Sequence, residues 1–259
     1  MELPCRIDIL THMAALLMSK MFDKSFPHKV EYLNRKAIRK LATLFRISHK
    51  SIIAHDESKW LSVAQRGELD FHKNNSWRKS NQFQAQSKEL FEFFLLHKAA
   101  YKDKTVIDLG AGSRLRSKYF EGAQIIAIEP LAEKFMNEID WCDLSDAFEL
   151  YSTPAEETIS SCINRADLLV SINVLDHCFD FNRIVANIYA YLKPGGLAFL
   201  SFDKHEVADY MHPLELDEET CNQVFQKEGF RIENFSTGVG DILSTYGHGP
   251  YCMNYWLRK

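Results

Sequence analysis

A short stretch in the middle of the chain has the residue types and spacing to bind a nucleotide-bearing ligand. Thr105-Val106-Ile107 is a β-branched run that passes through Asp108-Leu109 into Gly110-Ala111-Gly112-Ser113. A second apolar run, Ile125 to Ile128, ends in Glu129-Pro130. Glycines at 110 and 112 let the backbone approach a ligand closely. The segment after Ser113 is compatible with a helix, whose first N–H groups would point at an anion. Glu129 is placed to accept both hydroxyls of a ribose. Strand, glycine turn, helix, strand and acid make the first unit of a nucleotide-binding α/β sheet. A dinucleotide fingerprint wants a third glycine where Leu115 stands, which disfavours a nicotinamide cofactor and an oxidoreductase.

A second set of residues could move protons. His177, His205 and His212 titrate in the useful range, with Asp176 and Asp203 as helpers, and each histidine is a candidate general base. Asp176, His177, Asp203 and His205 would lie at the carboxyl ends of neighbouring strands. Their spacing supplies no complete ligand set, so no metal is expected. Arg114 stands where a helix start would put it against a bound carboxylate or an anionic substrate. A cation there opposes the helix dipole, so the position asks for an anion or for solvent.

These residues need a core to hold them. The 259 residues suffice for one large domain, or one domain plus a substantial extension. Apolar residues make up 46% and charged residues 25%, an ordinary globular balance. The net charge of −4 argues against a generally basic nucleic-acid binder. The charge is uneven, however: residues 1–50 hold ten Lys/Arg against four Asp/Glu, about +6, which leaves about −10 on the remainder. The six cysteines form no C-x-x-C pair and read as reduced, mostly buried thiols of a cytoplasmic protein. No apolar run approaches the ~20 residues of a membrane span. The first residues lack the features of a signal peptide.

Apolar spacing predicts helices over 7–22 and 30–46, the latter carrying Arg35, Lys36, Arg39 and Lys40 on one face. Residues 55–83 mix Trp60, Phe71, His72, Trp77 and Arg78 with asparagines, which suits either a recognition surface or lid, or a connector sealed by its tryptophans. A helix over 84–98 would turn Leu90, Phe94 and Leu95 inward. Strands are expected at 105–109, 124–129, 148–152 and 166–173, with helices at 131–138 and 181–192. Pro194-Gly195-Gly196 stops the second of these helices and reverses the chain into a fifth strand. A helix over 217–228 and strands at 231–236 and 251–257 complete the pattern.

VIDLGAGS followed by AIEP resembles motif I and the acidic loop of class I S-adenosylmethionine (SAM) dependent methyltransferases. Asn173-Val174-Leu175-Asp176-His177 resembles their motif IV, and LKPGG before the fifth strand is frequent among them. The resemblance spans about 105–257. It implies an α/β fold: a doubly wound, seven-stranded, mainly parallel sheet with an antiparallel last strand, here with an N-terminal helical extension. Residues 1–100 would be that extension and lid, and 101–259 the SAM-binding core. SAM is then the cofactor, held by Asp108, Gly110, Ala111, Gly112, Glu129, Pro130, Ala155, Glu156, Asn173 and Val174. Pro154 stands where an adenine-binding Asp is common, which passes that role to Ala155 and Glu156. His72, Trp77, Arg78 and Arg114 are the candidate substrate contacts, and His212, His177 and His205 the catalytic ones. The expected activity is O- or N-methylation of a small or medium polar acceptor, a carbohydrate or secondary metabolite. An RNA or protein methyltransferase docking through 30–46, and a non-catalytic SAM-binding scaffold, stand as alternatives. A homodimer stays open.

Overall fold

Parallel strands covered on both faces must be apolar nearly throughout, and this chain builds its sheet from such runs. A computed structural model describes residues 60–204, 211–238 and 252–259. The chain divides into two compact units, 1–54 and 55–259. The helices expected over 7–22 and 30–46 lie outside the described residues, as does His205.

The sheet has seven strands: β1 (Thr105–Leu109), β2 (Gln124–Ile128), β3 (Glu149–Tyr151), β4 (Ala166–Ile172), β5 (Leu192–Asp203), β6 (Arg231–Gly238) and β7 (Cys252–Arg258). Their order is β3-β2-β1-β4-β5-β7-β6. β1 to β5 pair in parallel, and β7 runs antiparallel between β5 and β6. The alternation of side chains along each strand divides the interior into two cores. Ile107, Leu109, Leu169, Ala198, Leu200 and Phe202 face one side, packed by Ile184, Val185 and Ile188 of α4 (Phe181–Tyr191) and Phe225 of α5 (Glu218–Glu228). Val106, Leu168, Val170, Leu197 and Phe199 face the other, packed by Leu90 and Phe91 of α2 (Gln82–Phe93) and Phe135 of α3 (Ala132–Glu138). This is the doubly wound sheet that the motif resemblance implies. Preceding it, a π-helical turn (Trp60–Ala64) leads into α1 (Gln65–Asn74).

Helix ends follow side-chain chemistry. Asp180 accepts the Arg183 N–H at 3.1 Å and Asp217 that of Thr220 at 2.8 Å, so each caps a free amide. Gly229 closes α5 at φ +106°, a conformation that favours glycine. Three expectations change. No α-helix follows the glycine turn; the chain makes only a 3-10 turn, Arg116–Tyr119. α2 ends at Phe93 rather than 98, because Leu96 N bonds Phe91 O and Leu95 N bonds Glu92 O in a left-handed closure. That closure puts Leu95 at φ +58° and 74% exposed, while Phe94 and Leu96 turn inward. The LKPGG segment is part of β5, with Gly195 at φ +77° and its N–H on the Lys259 carbonyl. Among the described residues no helix is long and apolar enough to cross a membrane.

Candidate functional site

The carboxyl ends of β1, β2 and β4 meet at one cavity, where a parallel sheet leaves its crevice for ligands. Asp108, Gly110, Ala111, Gly112, Glu129, Pro130, Ala155, Glu156, Asn173 and Val174 all line it, together with His72, Arg78 and His177.

Gly110 and Gly112 sit at φ +70° and +66°, where a side chain is strained. Their missing side chains also make room for the protein itself. A Cβ on Gly110 would stand 2.3 Å from Val174 Cγ2, and one on Gly112 2.8 Å from His72 Cε1. The turn is therefore clasped by β4's end on one side and by α1 on the other.

Glu129 leaves β2 with both carboxylate oxygens in use. Oε2 accepts the Gly112 N–H at 2.8 Å and Oε1 that of Leu131 at 3.0 Å. Burial pushes its pKa up to about 7, against the pull of those two bonds. Asp108 accepts the Ser117 hydroxyl at 2.6 Å and its N–H at 3.2 Å, and burial raises its pKa too. Glu156 turns Oε1 to the backbone N–H groups of Phe179 at 2.9 Å and Asp180 at 3.4 Å, and its pKa is likewise raised by burial. It thus braces the chain entering α4 while lining the wall.

Cations gather at the glycine end. Arg78 is 3% exposed, its guanidinium 5.4–5.6 Å from the rings of Phe71, Trp77 and Phe83. Arg116, also buried, lies 4.6 Å from the Phe83 ring and donates to Ser87 Oγ at 3.1 Å. Both line the cavity. Arg114 does not: it donates to the carbonyls of Arg78 and Ser80 and pairs with Asp143 at 3.4 Å. With no helix after Ser113, the inward-facing cation falls two residues later than expected. Trp77 also stands outside the lining, 5.7 Å from the Phe83 ring.

His72 is buried against the same turn. Ser113 N donates to its Nδ1 at 3.2 Å, and Ser113 Oγ is 2.7 Å from that nitrogen. Burial, then the Arg78 and Arg116 charges, hold its pKa well below the ordinary range, so the ring is neutral and Nδ1 is an acceptor. His177 sits on the turn after β4. Its Nδ1 donates to the Met211 carbonyl at 3.1 Å with Glu68 Oε1 3.4 Å away, and its Nε2 faces Asn173 Nδ2 at 3.2 Å and Asp176 Oδ2 at 3.7 Å. His212 does not line the cavity but stands beside it, ring centroids 4.5 Å from His177. Asn173 holds φ +59°, a strained conformation at the hinge of this group.

Of the roof, sequence reasoning singles out Trp60 and His72 within a candidate lid and misses Ala64 and Glu68. Trp60, Ala64, Glu68 and His72 recur every four residues and all face the cavity. Trp60 Nε1 donates to the His177 carbonyl. Glu68 touches both His177 and, at 3.9 Å, His72 Nε2. The four-residue spacing was the available signal.

Comparison with known proteins fits this geometry. A family model described as a methyltransferase domain matches residues 77–233. Among solved structures, the chain resembles the Burkholderia thailandensis 1,6-didemethyltoxoflavin-N1-methyltransferase, a structure with bound 1,6-didemethyltoxoflavin and S-adenosylhomocysteine. The TM-score is 0.50 at 18% identity, covering 78% of this chain and 86% of that one. It resembles a SAM-dependent methyltransferase from Mesorhizobium loti at TM-score 0.50 and 15% identity, covering 64% and 97%. It also resembles the [4+2]-cyclase SpnF at TM-score 0.50 and 16% identity, covering 66% and 80%. At such identities the likeness is one of fold. No curated protein is significantly similar to the chain.

Proposed function

From the premise that this chain belongs to the methyltransferase-domain family and is a SAM-dependent methyltransferase, we propose that its acceptor is a small or medium polar molecule, methylated on oxygen or nitrogen. The mixed polar and apolar lining of the cavity carries this reading. An acid stands at one end, buried cations at another and an imidazole on a third side, all under the roof of Trp60, Glu68 and His72. Such a roof suits a small acceptor better than a polymer.

The donor set fits the cofactor. SAM supplies a methyl on a sulfonium that leaves by in-line displacement, so the protein needs no nucleophile of its own. Glu129 accepts the ribose hydroxyls, the strongest bonds forming to its ionised state. Ala155, Leu131 and Ile184 give the adenine apolar walls. Arg78 and Arg116 take the methionyl carboxylate, and Asp108 the amino group. The acceptor lies on the His177 side, where the His177–His212 pair governs its proton. Holding acceptor and methyl in line contributes several kcal/mol of barrier reduction. Help with the proton adds roughly 10²–10⁴ in rate.

Calorimetric titration with SAM and S-adenosylhomocysteine tests the cofactor half, with Glu129→Ala as control. Micromolar binding lost in the variant is expected, and absence of binding overturns it. A labelled-methyl screen over hydroxylated and amino small molecules tests the acceptor half. Labelling of RNA or protein alone would refute the small-molecule reading.

A further inference from the structure

The group beside the acceptor side of the cavity has more ligating atoms than a general base requires. Asp176, His177 and His212 each offer one ligand atom, and the three lie within 4.8 Å of one another. Atoms about 2.1 Å from one ion stand roughly 3 Å apart when adjacent and 4.2 Å when opposite, so a small side-chain adjustment closes the set. We propose that Asp176, His177 and His212 hold a divalent transition-metal ion, and that the ion binds and activates the acceptor.

Three further observations support the site. The Nδ1–H of His177 goes to the Met211 carbonyl with Glu68 beside it, which fixes the tautomer and makes Nε2, which accepts from the Asn173 amide and lies 3.7 Å from Asp176 Oδ2, the ligand atom. Metal-bound histidines are oriented by such an outer bond to a carbonyl or carboxylate. Second, Asp176 is 1% exposed, so its carboxylate and an imidazole face each other inside the protein, an arrangement that a cation between them would stabilise. Third, Asn173 reaches the same Nε2 from a strained φ of +59°, and turning its amide over would present Oδ1 as a further oxygen donor. Two imidazoles with one carboxylate favour a borderline ion such as Mn²⁺, Co²⁺ or Zn²⁺ over Mg²⁺.

Three protein ligands leave positions for an acceptor. The class that suits them carries an ionisable hydroxyl next to a second oxygen, so that both reach the ion. The ion lowers the pKa of a bound hydroxyl; the proton leaves to solvent, and His177 and His212 act through the metal. The acceptor assignment rests on the methyltransferase reading, but ion binding can be measured apart from it.

Full-length, untagged, metal-free protein is titrated with Co²⁺ alone and followed by visible absorption, and with Mn²⁺ by paramagnetic resonance. One ion per chain is expected. Affinity should fall by about tenfold or more in His212→Ala and in Asp176→Asn, while S-adenosylhomocysteine binding, which also reports folding, stays within about threefold. No Co²⁺ or Mn²⁺ binding by protein that binds S-adenosylhomocysteine overturns the proposal, as does unchanged affinity in His212→Ala. Ion binding lost in both variants, by protein that binds no adenosyl ligand, sustains the metal site and overturns the methyltransferase placement.

Discussion

Glu129 is the residue on which the cofactor reading can be tested most sharply, through pH. Its pKa rises from 4.5 to about 7 in the folded chain. The folded state therefore holds the proton more tightly than the unfolded state. Glu129's contribution to stability is therefore fully present below about pH 4.5, falls as pH rises toward 7, and is lost above. The gap corresponds to roughly 3 kcal/mol. Glu129→Gln removes the titration. The amide oxygen can still accept one of the Gly112 and Leu131 N–H groups, but its NH₂ cannot accept the other. The variant's absolute stability thus combines a relieved charge with an orphaned amide, and the decisive quantity is the slope with pH. Urea unfolding at about pH 5, 6, 7 and 8 should show the wild-type fall reduced by most of that 3 kcal/mol in Glu129→Gln. Ligand binding should mirror it. Ribose hydroxyls donate to the ionised carboxylate, so S-adenosylhomocysteine affinity should rise up to about tenfold per pH unit below 7, with a proton released on binding. Glu129→Gln should flatten that dependence and weaken binding about 100-fold near pH 8, the loss of roughly 3 kcal/mol in charge-assisted bonds. An unchanged unfolding slope and unchanged proton release in Glu129→Gln would refute both the protonation argument and the ribose assignment.

Leu95→Gly should stabilise the protein by about 0.5–1 kcal/mol in urea unfolding, because a left-handed closure strains leucine more than glycine's extra unfolded-state entropy costs; a destabilised variant would show that Leu95 packs usefully. Gly110→Ala should cost about 2–4 kcal/mol, combining the φ of +70° with the 2.3 Å approach to Val174. Adding Val174→Ala should return the steric part only, and full recovery would mean that backbone strain is negligible. Arg78→Met should weaken S-adenosylhomocysteine about tenfold or more by calorimetry but leave adenosine, which has no carboxylate, within about twofold. Equal losses for the two ligands would remove Arg78 from the carboxylate subsite.

The sheet was legible because its signals are local. Buried parallel strands are apolar runs, and Thr105–Leu109 and Ala166–Ile172 show themselves as such. The acid after the second strand and the glycines after the first are fixed by chain geometry, which carries Glu129 onto Gly112 without help from other segments. What depends on a helix's phase was less readable. Arg114 and Arg116 differ only in which way a turn points them, and a short 3-10 turn replaces the expected helix, so the second faces the cavity and the first pairs with Asp143. Leu95 fits the apolar period of a longer α2, but the closure of Leu96 onto Phe91 ends the helix before that period applies. The links from Trp60 and Glu68 to His177 join residues more than a hundred positions apart, and no local pattern encodes them.

Those distant links tie the two halves of the site together. The glycine turn is pressed by His72 and Val174, and Val174 is three residues from His177. Glu68 reaches His72 with one oxygen and His177 with the other. One carboxylate on α1 therefore contacts both the ring against the glycine turn and the ring after β4. His72 is held neutral and accepts from Ser113, so its Nε2–H faces Glu68. The other oxygen of Glu68 lies 3.4 Å from His177 Nδ1, beside that ring's bond to the Met211 carbonyl. On the proposed placement of cofactor and acceptor, the π-helical turn and α1 together, through Trp60, Ala64, Glu68 and His72, line both subsites.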